Sequence, residues 1–411
     1  MSNLNGVTTK KGKIGANRTN NKRAVSALVI GSGLLAGLAF NTPVTIYNVE
    51  DLDQYGLDAD FDKTNNVNVY RHISEFYRMA GAGTELNLML VEQASTLKTL
   101  VQSESVKTLL AHADYEVRQI AFALNPTEAP VVVDGIPTDV IEAIPLAQGL
   151  AVWAFEQNMP CQVFLEGYGL DGNSNVVEDL RAIENVEATK VSVIIGQDWK
   201  YAETKTGLAQ NFADVGTVLG VCSSATIAQN IGDNEAFDLN DSTKDAWMIA
   251  GLSNHKKNTE IYSQLQTFEN KGYVFGLSYA GLAGIRINND HVCVPIIVDQ
   301  EGNMNEHTIA YGRVLDDAIR QLRSVYLPKI KKTYPVDENG KLLTRALVSL
   351  EQIGDDIFAD MQNSNELSFG KTTIDPESDL LVKKELIVNF VIIPMGTLGE
   401  ITGTINIKNS L

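Results

Sequence analysis

A chain of 411 residues with 51 acidic against 33 basic side chains, a formal charge of −18, is a poor match for a nucleic-acid surface and long enough for two or three domains. At 44% apolar and 20% charged it has the balance of a soluble globular protein with a large core. Its most apolar stretch, 25–40, is short and broken by Gly31, Gly33 and Gly37, so neither a transmembrane helix nor a signal peptide is expected, and the default location is cytoplasmic.

In chain order, the first feature is a basic arm. Residues 1–23 hold Lys10, Lys11, Lys13, Arg18, Lys22 and Arg23 and no acid, so the rest of the chain carries −24 (−18 less +6). The segment is rich in Asn, Gly and Thr and has no apolar period. It reads as an arm outside any core, either a frayed terminus or a connector to the acidic body of another subunit. Apolar runs with strand character follow at 27–30, 44–49, 86–91, 119–124, 162–165, 190–195, 247–252 and 274–277. Helix-period segments at 69–80, 140–157, 176–183 and 260–270 separate many of them, which predicts a mainly parallel sheet covered on both faces. The polar stretches 198–213 and 232–244 read as loops.

The last hundred residues change character. A helix over 313–332 is stopped by Pro328, a second spans 346–361, and a strand over 385–393 is closed by Pro394. After a Gly-rich break, 400–411 reads as a final strand. Ile401, Gly403, Ile405 and Ile407 fall on one face, with Thr402, Thr404, Asn406 and Lys408 on the other. A terminal strand with one apolar face must pair, and a tail this short can reach a neighbouring subunit. Such a chain is built to link copies of itself.

Catalytic patterns are few. Gly31-Ser32-Gly33-Leu34-Leu35-Ala36 follows a strand and fits G-x-G-x-x-A, with Glu50 and Asp51 after the next strand. Only about ten residues separate the motif from that strand, however, and a dinucleotide crossover needs a full helix in a unit of roughly 30 residues. A glycine-permitted turn is the better account. His72, His112, His255, His291 and His307 form no metal-ligand spacing, and Cys161, Cys222 and Cys293 read as buried free thiols. Asp58, Asp60 and Asp62 alternate but lack the glycine and distal Glu of a Ca²⁺ loop, so they read as a solvated turn. No nucleophile elbow or phosphate loop is present, which points away from an enzyme and from any cofactor or metal.

Four stretches, taken in order, resemble contractile tail sheath proteins, the subunits that wrap the tube of contractile phage tails and related injection machines. They are LNGVTTKKGKIG followed by VSALVIG; VYRHISEFYRMAGAGTELNLMLV; NKGYVFGLSYAGLAGIRINNDHVC; and the C-terminal set AYGRVLDDAIRQLRSVYLPKI, ALVSLEQIGDDIFADMQ and TIDPESDLLVKKELIVNFVIIPMGTLGEITGTINI. The likeness covers nearly the whole chain and is of the small-sheath type. Where many sheaths carry a longer aromatic and basic signature before the first C-terminal helix, only Tyr311 and Arg313 stand in comparable places.

The resemblance implies an α/β fold, α+β overall. It comprises a linking arm at 1–24, an outer α/β domain at 25–258 with a mainly parallel sheet, an inner α+β domain at 259–398 facing a tube, and a linking strand at 399–411. Subunits would stack as six-fold rings around a tail tube and contract, joined by β-augmentation through both arms. The implied partners are further copies of the chain, a tube protein, and baseplate and terminator proteins at the ends, with no nucleic acid and no membrane insertion. The implied location is a virion tail or injection-particle sheath assembled in the bacterial cytoplasm. Ile401, Gly403, Ile405 and Ile407 would form the donated strand, and Leu386, Val388 and Phe390 the receiving sheet. Leu4, Val7 and Ile14 would pack the N-terminal arm, with Lys10, Lys11 and Lys13 steering it. Arg313, Arg320 and Arg323 can share a broad helix face toward the tube, in competition with Glu351, Asp355, Asp356 and Asp360 on the next helix. A dinucleotide-dependent oxidoreductase using GSGLLA and another self-assembling shell or tube protein are the alternatives.

Overall fold

A computed structural model describes residues 21–408 apart from Ala36, Tyr115, Gly172 and Asn173. Its centre is a six-stranded sheet built on β1 (Ser26–Ser32), whose seven residues are all buried. β1 pairs in parallel with β3 (Leu86–Glu92) on one side and with β4 (Gln119–Ala123) on the other. β5 (Gln162–Glu166) and β6 (Val191–Ile194) continue in parallel, and the short β2 (Val44–Ile46) closes the opposite edge antiparallel to β3. The spatial order is β2-β3-β1-β4-β5-β6.

Continuous apolar runs such as Ala27-Leu28-Val29-Ile30 are what a sheet buried on both faces requires. The period of two then sorts them. Ala27 and Val29 enter one core, with Leu109 and Leu110 of α2 (Glu104–His112), Ile144 and Ala147 of α3 (Thr138–Glu156), and Phe268 of α5 (Tyr262–Asn270). Leu28 and Ile30 enter the other, with Ile73 and Phe76 of α1 (Val69–Ala80) and Leu219 and Cys222 of α4 (Val215–Ser224). The result is a layered α/β domain. Cys161, Cys222 and Cys293 are buried free thiols, and desolvation pushes Cys161 and Cys293 up to about 12.

Several expectations are corrected. The 176–183 segment forms turns, with Val177 and Leu180 anchored in the core. The polar 198–213 stretch contains the helical turns Trp199–Ala202 and Gly207–Asn211. After the GSGLLA motif, the described residues up to β2 include no helix, and β2 lies beside β3 instead of β1, so a dinucleotide crossover is missing. Asp58 caps the helix Ala59–Asn65, while Asp62 is buried and accepts hydrogen bonds from the Tyr70 and Arg71 N–H groups, so the three acids do not face one ion. Residues beyond 258 pack with the sheet as well. Ile261, Leu265 and Tyr273 belong to the first sheet core, and Ile287, Val292 and Val294 to the second.

A separate module begins at α6 (Ile309–Tyr326). It continues through the turn Leu327–Lys329 to α7 (Thr344–Asn363) and the antiparallel hairpin of β7 (Leu367–Ile374) and β8 (Val388–Pro394). Two small cores hold it. One joins Val314, Ala318, Leu322, Phe358, Met361 and Leu367, and the other joins Leu342, Leu350 and Ile374.

Candidate assembly interface

The C-terminal module is tied to the sheet mainly by charge. Thr308 caps α6 by accepting from the Tyr311 N–H, which starts the helix across the N-terminal ends of the parallel strands. Arg313 is buried and donates to the Ala225 and Thr226 carbonyls at the end of α4, where a cation complements the helix terminus. Arg320 donates to the Val117 and Pro160 carbonyls at the entries to β4 and β5. Asp316 pairs with Lys190 at 2.7 Å, just before β6. Arg23, just before β1, grips both Asp317 of α6, at 2.7 Å, and Glu366 at the start of β7. The three arginines expected on one tube-facing side part company in the structure. Arg313 and Arg320 turn inward because strand-entry and helix-end carbonyls need donors, and only Arg323 is exposed.

α7 holds the hairpin from one side. Its Asp355 accepts from the Thr372 N–H at 2.7 Å and pairs with Lys371, and Glu351 accepts from the Ile374 N–H at 2.9 Å. Desolvation is the largest single influence on the Asp355 carboxyl and pulls it upward, but Lys371 and the Thr372 N–H together outweigh it and hold the group below its usual range. These two acids of α7 thus serve the hairpin, while Asp356 and Asp360 remain exposed. Contact is close enough to require glycine at two places. A Cβ on Gly370 would lie 2.4 Å from the Phe358 ring, and one on Gly354 would lie 2.2 Å from the Thr372 hydroxyl oxygen. Phe390 sits against Tyr326 and Phe358, with ring centroids 5.9 and 6.2 Å away.

The other face of the hairpin is uncovered. Phe369, Val391 and Ile393 are exposed there, with Phe369 directly opposite Ile393 and Val391 opposite Lys371. Residues 395–408 then leave the module without regular structure. Ile401, Ile405 and Ile407 are 81, 95 and 99% exposed, and Gly403 lies among them in the open. The expected final strand thus has no ladder partner among the described residues. Of the expected receiving residues, Val388 and Phe390 lie in β8, while Leu386 precedes it and packs on the second small core. Leu4, Val7, Lys10, Lys11, Lys13 and Ile14 fall outside the described residues. Sequence reasoning missed β7 and with it the second strand of the hairpin. Its one visible signal is the β-branched Thr372-Thr373-Ile374 run after Gly370.

With this geometry in view, the comparisons are decisive for family and fold. Residues 6–320 match the family described as DUF2586, N-terminal domain, and residues 307–411 match DUF2586, C-terminal domain. The chain belongs to the DUF2586 family. The two matches meet within α6, where the structure also changes from sheet domain to C-terminal module. No curated protein sequence matches this DUF2586 chain. Among solved structures it is similar to the helical sheath of the anti-feeding prophage in its contracted state, with a TM-score of 0.60 at 11% identity over 99% of each chain. A chain of the six-fold symmetrised anti-feeding prophage baseplate matches with a TM-score of 0.59 at 10% identity, covering 99% of this chain and 100% of that one. The contracted sheath complex of the extracellular contractile injection system PVC gives 0.58 at 9% identity, over 99 and 98%. The DUF2586 chain thus has the fold of contractile sheath proteins from end to end. Among its described residues no three His, Cys, Asp or Glu side chains gather as a metal site, and no helix is long and apolar enough to cross a membrane.

Proposed function

We propose that this protein is the structural subunit of a contractile sheath. It would polymerise as stacked six-fold rings around a tail tube and drive the tube forward on contraction, as part of a phage-tail-like particle assembled in the bacterial cytoplasm. The observation that carries the reading is the full-length likeness to two contractile sheaths, which includes the C-terminal module and not only the common α/β domain. The apolar tail and the hairpin face, which no described residue covers, support it, because both are features that a neighbouring copy would complete. In this reading 1–24 is a linking arm, the sheet domain faces outward, the module from α6 onward faces the tube, and 399–411 is a donated strand. The strand lays Ile401, Gly403, Ile405 and Ile407 along a hairpin containing Val388 and Phe390, with Leu386 supporting the hairpin from below. Leu4, Val7 and Ile14 pack the N-terminal arm on a neighbour, and Lys10, Lys11 and Lys13 steer it toward acidic surface. Arg323 is the one member of the arginine set left to meet the tube, alongside Asp356 and Asp360. Baseplate and terminator proteins would close the two ends.

Negative-stain electron microscopy of the purified chain, alone and with its tube protein, tests the proposal. Striated hollow tubes or stacked rings are expected. Deletion of 399–411 is expected to leave a folded monomer that forms none, and long sheaths from the truncated chain would refute linkage by the tail. Salt adds a second check, since a basic arm steering toward acids makes assembly weaker at high ionic strength.

A further inference from the structure

A small cavity lies at the joint between the sheet domain and α6, and the charges around it do not balance. Arg23, just before β1, and Arg118, just before β4, line it from the sheet side, and Arg313, Asp316 and Asp317 line it from α6. Three guanidiniums thus face two carboxylates. Both carboxylates are already engaged. Asp316 accepts from Lys190 at 2.7 Å and from the Gln162 amide at 3.1 Å. Asp317 accepts from Arg23 at 2.7 Å and from the Gln321 amide at 2.6 Å. Two of the cations are engaged as well, Arg23 by Asp317 and Glu366, and Arg313 by the Ala225 and Thr226 carbonyls. Arg118 is the exception. Its Nη2 donates to Glu116 at 3.0 Å, but its Nε and Nη1 are buried and meet no hydrogen-bond partner among the described residues. Buried donors without an acceptor are costly, and charged ones more so. Burial is the first cause that holds Arg118 below the ordinary arginine range; Glu116 and Asp317 offset it in part, and the Arg23 guanidinium adds to it. Arg320, which donates to the Val117 and Pro160 carbonyls at the same strand entries, is pushed down to about 10 by burial and by Arg118.

We propose that this cavity binds one small monovalent anion of the halide class, chloride being the common one, on Nε and Nη1 of Arg118 between the strand entries and α6. The cavity measures about 10 Å³, room for a single water-sized particle and too little for a tetrahedral oxyanion. A water molecule would accept from Arg118 but leave the excess positive charge in place, whereas a monatomic anion answers both needs. The Arg23 side chain is 37% exposed, so the wall on that side meets solvent and gives the ion a way in. Arg118 belongs to the sheet domain and Arg313 to the C-terminal module, so the bound ion draws the two together. The site is independent of strand exchange and of the sheath reading, since every residue in it belongs to one chain.

Native-state hydrogen exchange of the full chain tests this in sodium chloride, sodium bromide and sodium gluconate, all at an ionic strength of about 0.15 M so that screening is equal. Gluconate is too large for the cavity, while bromide is close to chloride in size. Amides of α6 and β7 are expected to exchange about elevenfold more slowly in chloride or bromide than in gluconate, the mass-action factor for an anion at about ten times its dissociation constant. Arg118→Met removes the site. Arg118→Lys keeps a cation beside Glu116 but lacks the guanidinium fork, and it serves as the second variant should the first fail to fold. In both, the difference between salts is expected to vanish. Line broadening of the ³⁵Cl resonance, reversed by bromide but not by gluconate and absent in Arg118→Lys, is the direct readout of binding. Equal exchange of the unmodified chain in all three salts overturns the proposal and leaves the cavity to a single water. A difference between salts that persists in the Arg118 variants overturns it too, because the salts then act on the protein at large.

Discussion

Arg23 is the residue whose removal most directly tests how the two parts of the molecule are joined. Its guanidinium bridges Asp317 and Glu366, whose side chains are only 9 and 8% exposed. Arg23→Gln leaves both carboxylates without their cation, Asp317 keeping only the hydrogen bond from the Gln321 amide. Removing one partner of a buried ion pair costs about 3–5 kcal/mol. The Arg23 side chain is itself 37% exposed, so water already screens the pair, and about 2 kcal/mol is the reasonable expectation. A chain of two modules need not unfold in one step, so the quantity to measure is local opening by native-state hydrogen exchange. A loss of about 2 kcal/mol makes amides of α6 and β7 exchange roughly 30-fold faster, while those of β4 and β5 keep their protection. Adding Asp317→Asn and Glu366→Gln removes the stranded charges and should recover most of the loss. An acceleration below about threefold, or one shared equally by the central strands, would refute the view that this clasp holds the module to the sheet.

Further expectations follow from other parts of the structure. Burial pushes the Glu166 carboxyl up to about 8 and that of Asp290 up to about 7. The folded chain thus holds protons that the unfolded chain releases, so their contribution to stability is complete below about pH 4 and falls as pH rises toward 8. Glu166→Gln should flatten thermal stability measured between pH 5 and 8, and an unchanged slope would exclude Glu166 as the cause. Gly370→Val drives a side chain into the Phe358 ring and should cost about 2–3 kcal/mol, read as lost protection of β7 and lost assembly with the sheet domain intact. Arg313→Met leaves the Ala225 and Thr226 carbonyls without their donor and should lower the urea midpoint by the equivalent of about 1–3 kcal/mol, whereas Arg323→Met, at an exposed site, should leave it unmoved.

What the sequence revealed divides along physical lines. The parallel strands were legible because residues such as 27–30 and 162–165 are apolar without interruption, and α1 was legible because its apolar and polar residues alternate at helical spacing. α4 was not, since Val215–Ser224 is buried nearly all round and carries no polar stripe to set a period. β7 was missed because its sequence, LSFGKTTI, is polar on the side that α7 serves with carboxylates, so it lacks a simple alternation. The arginines of α6 were misread for a related reason. Their spacing is visible in the sequence, but the carbonyls of Ala225, Thr226, Val117 and Pro160 that claim Arg313 and Arg320 lie 87–203 residues away. The isoleucines of the tail, by contrast, were readable at once, because their alternation stands alone after a Gly-rich break and no described residue buries them.

The two kinds of joint in this molecule suit different demands. Within the sheet domain the layers meet through side chains that are almost wholly buried, which gives stability but little sense of direction, since apolar contact is roughly proportional to area. Between the sheet and the C-terminal module, beside the apolar contacts of Ile309 and Ile227, Arg23, Lys190, Arg313 and Arg320 meet named oxygen partners, each correct in only one orientation. Hydrogen-bonded ties of this sort fix an angle. A subunit that exchanges strands with neighbours through its C-terminal module must transmit their pull to the sheet domain without letting the two parts slide. If so, weakening the ties one at a time should loosen the angle before it lowers overall stability. The sensitive measurement is the distance between spin labels on Asn389→Cys and on an exposed residue of the sheet domain, such as Glu104→Cys. Broadening of that distance in Arg23→Gln, with an unchanged unfolding midpoint of the sheet domain, is the expected result. A distribution as narrow as in the unmodified clasp would mean that the small apolar contact of Ile227 with Val314 and Ala318 sets the angle alone.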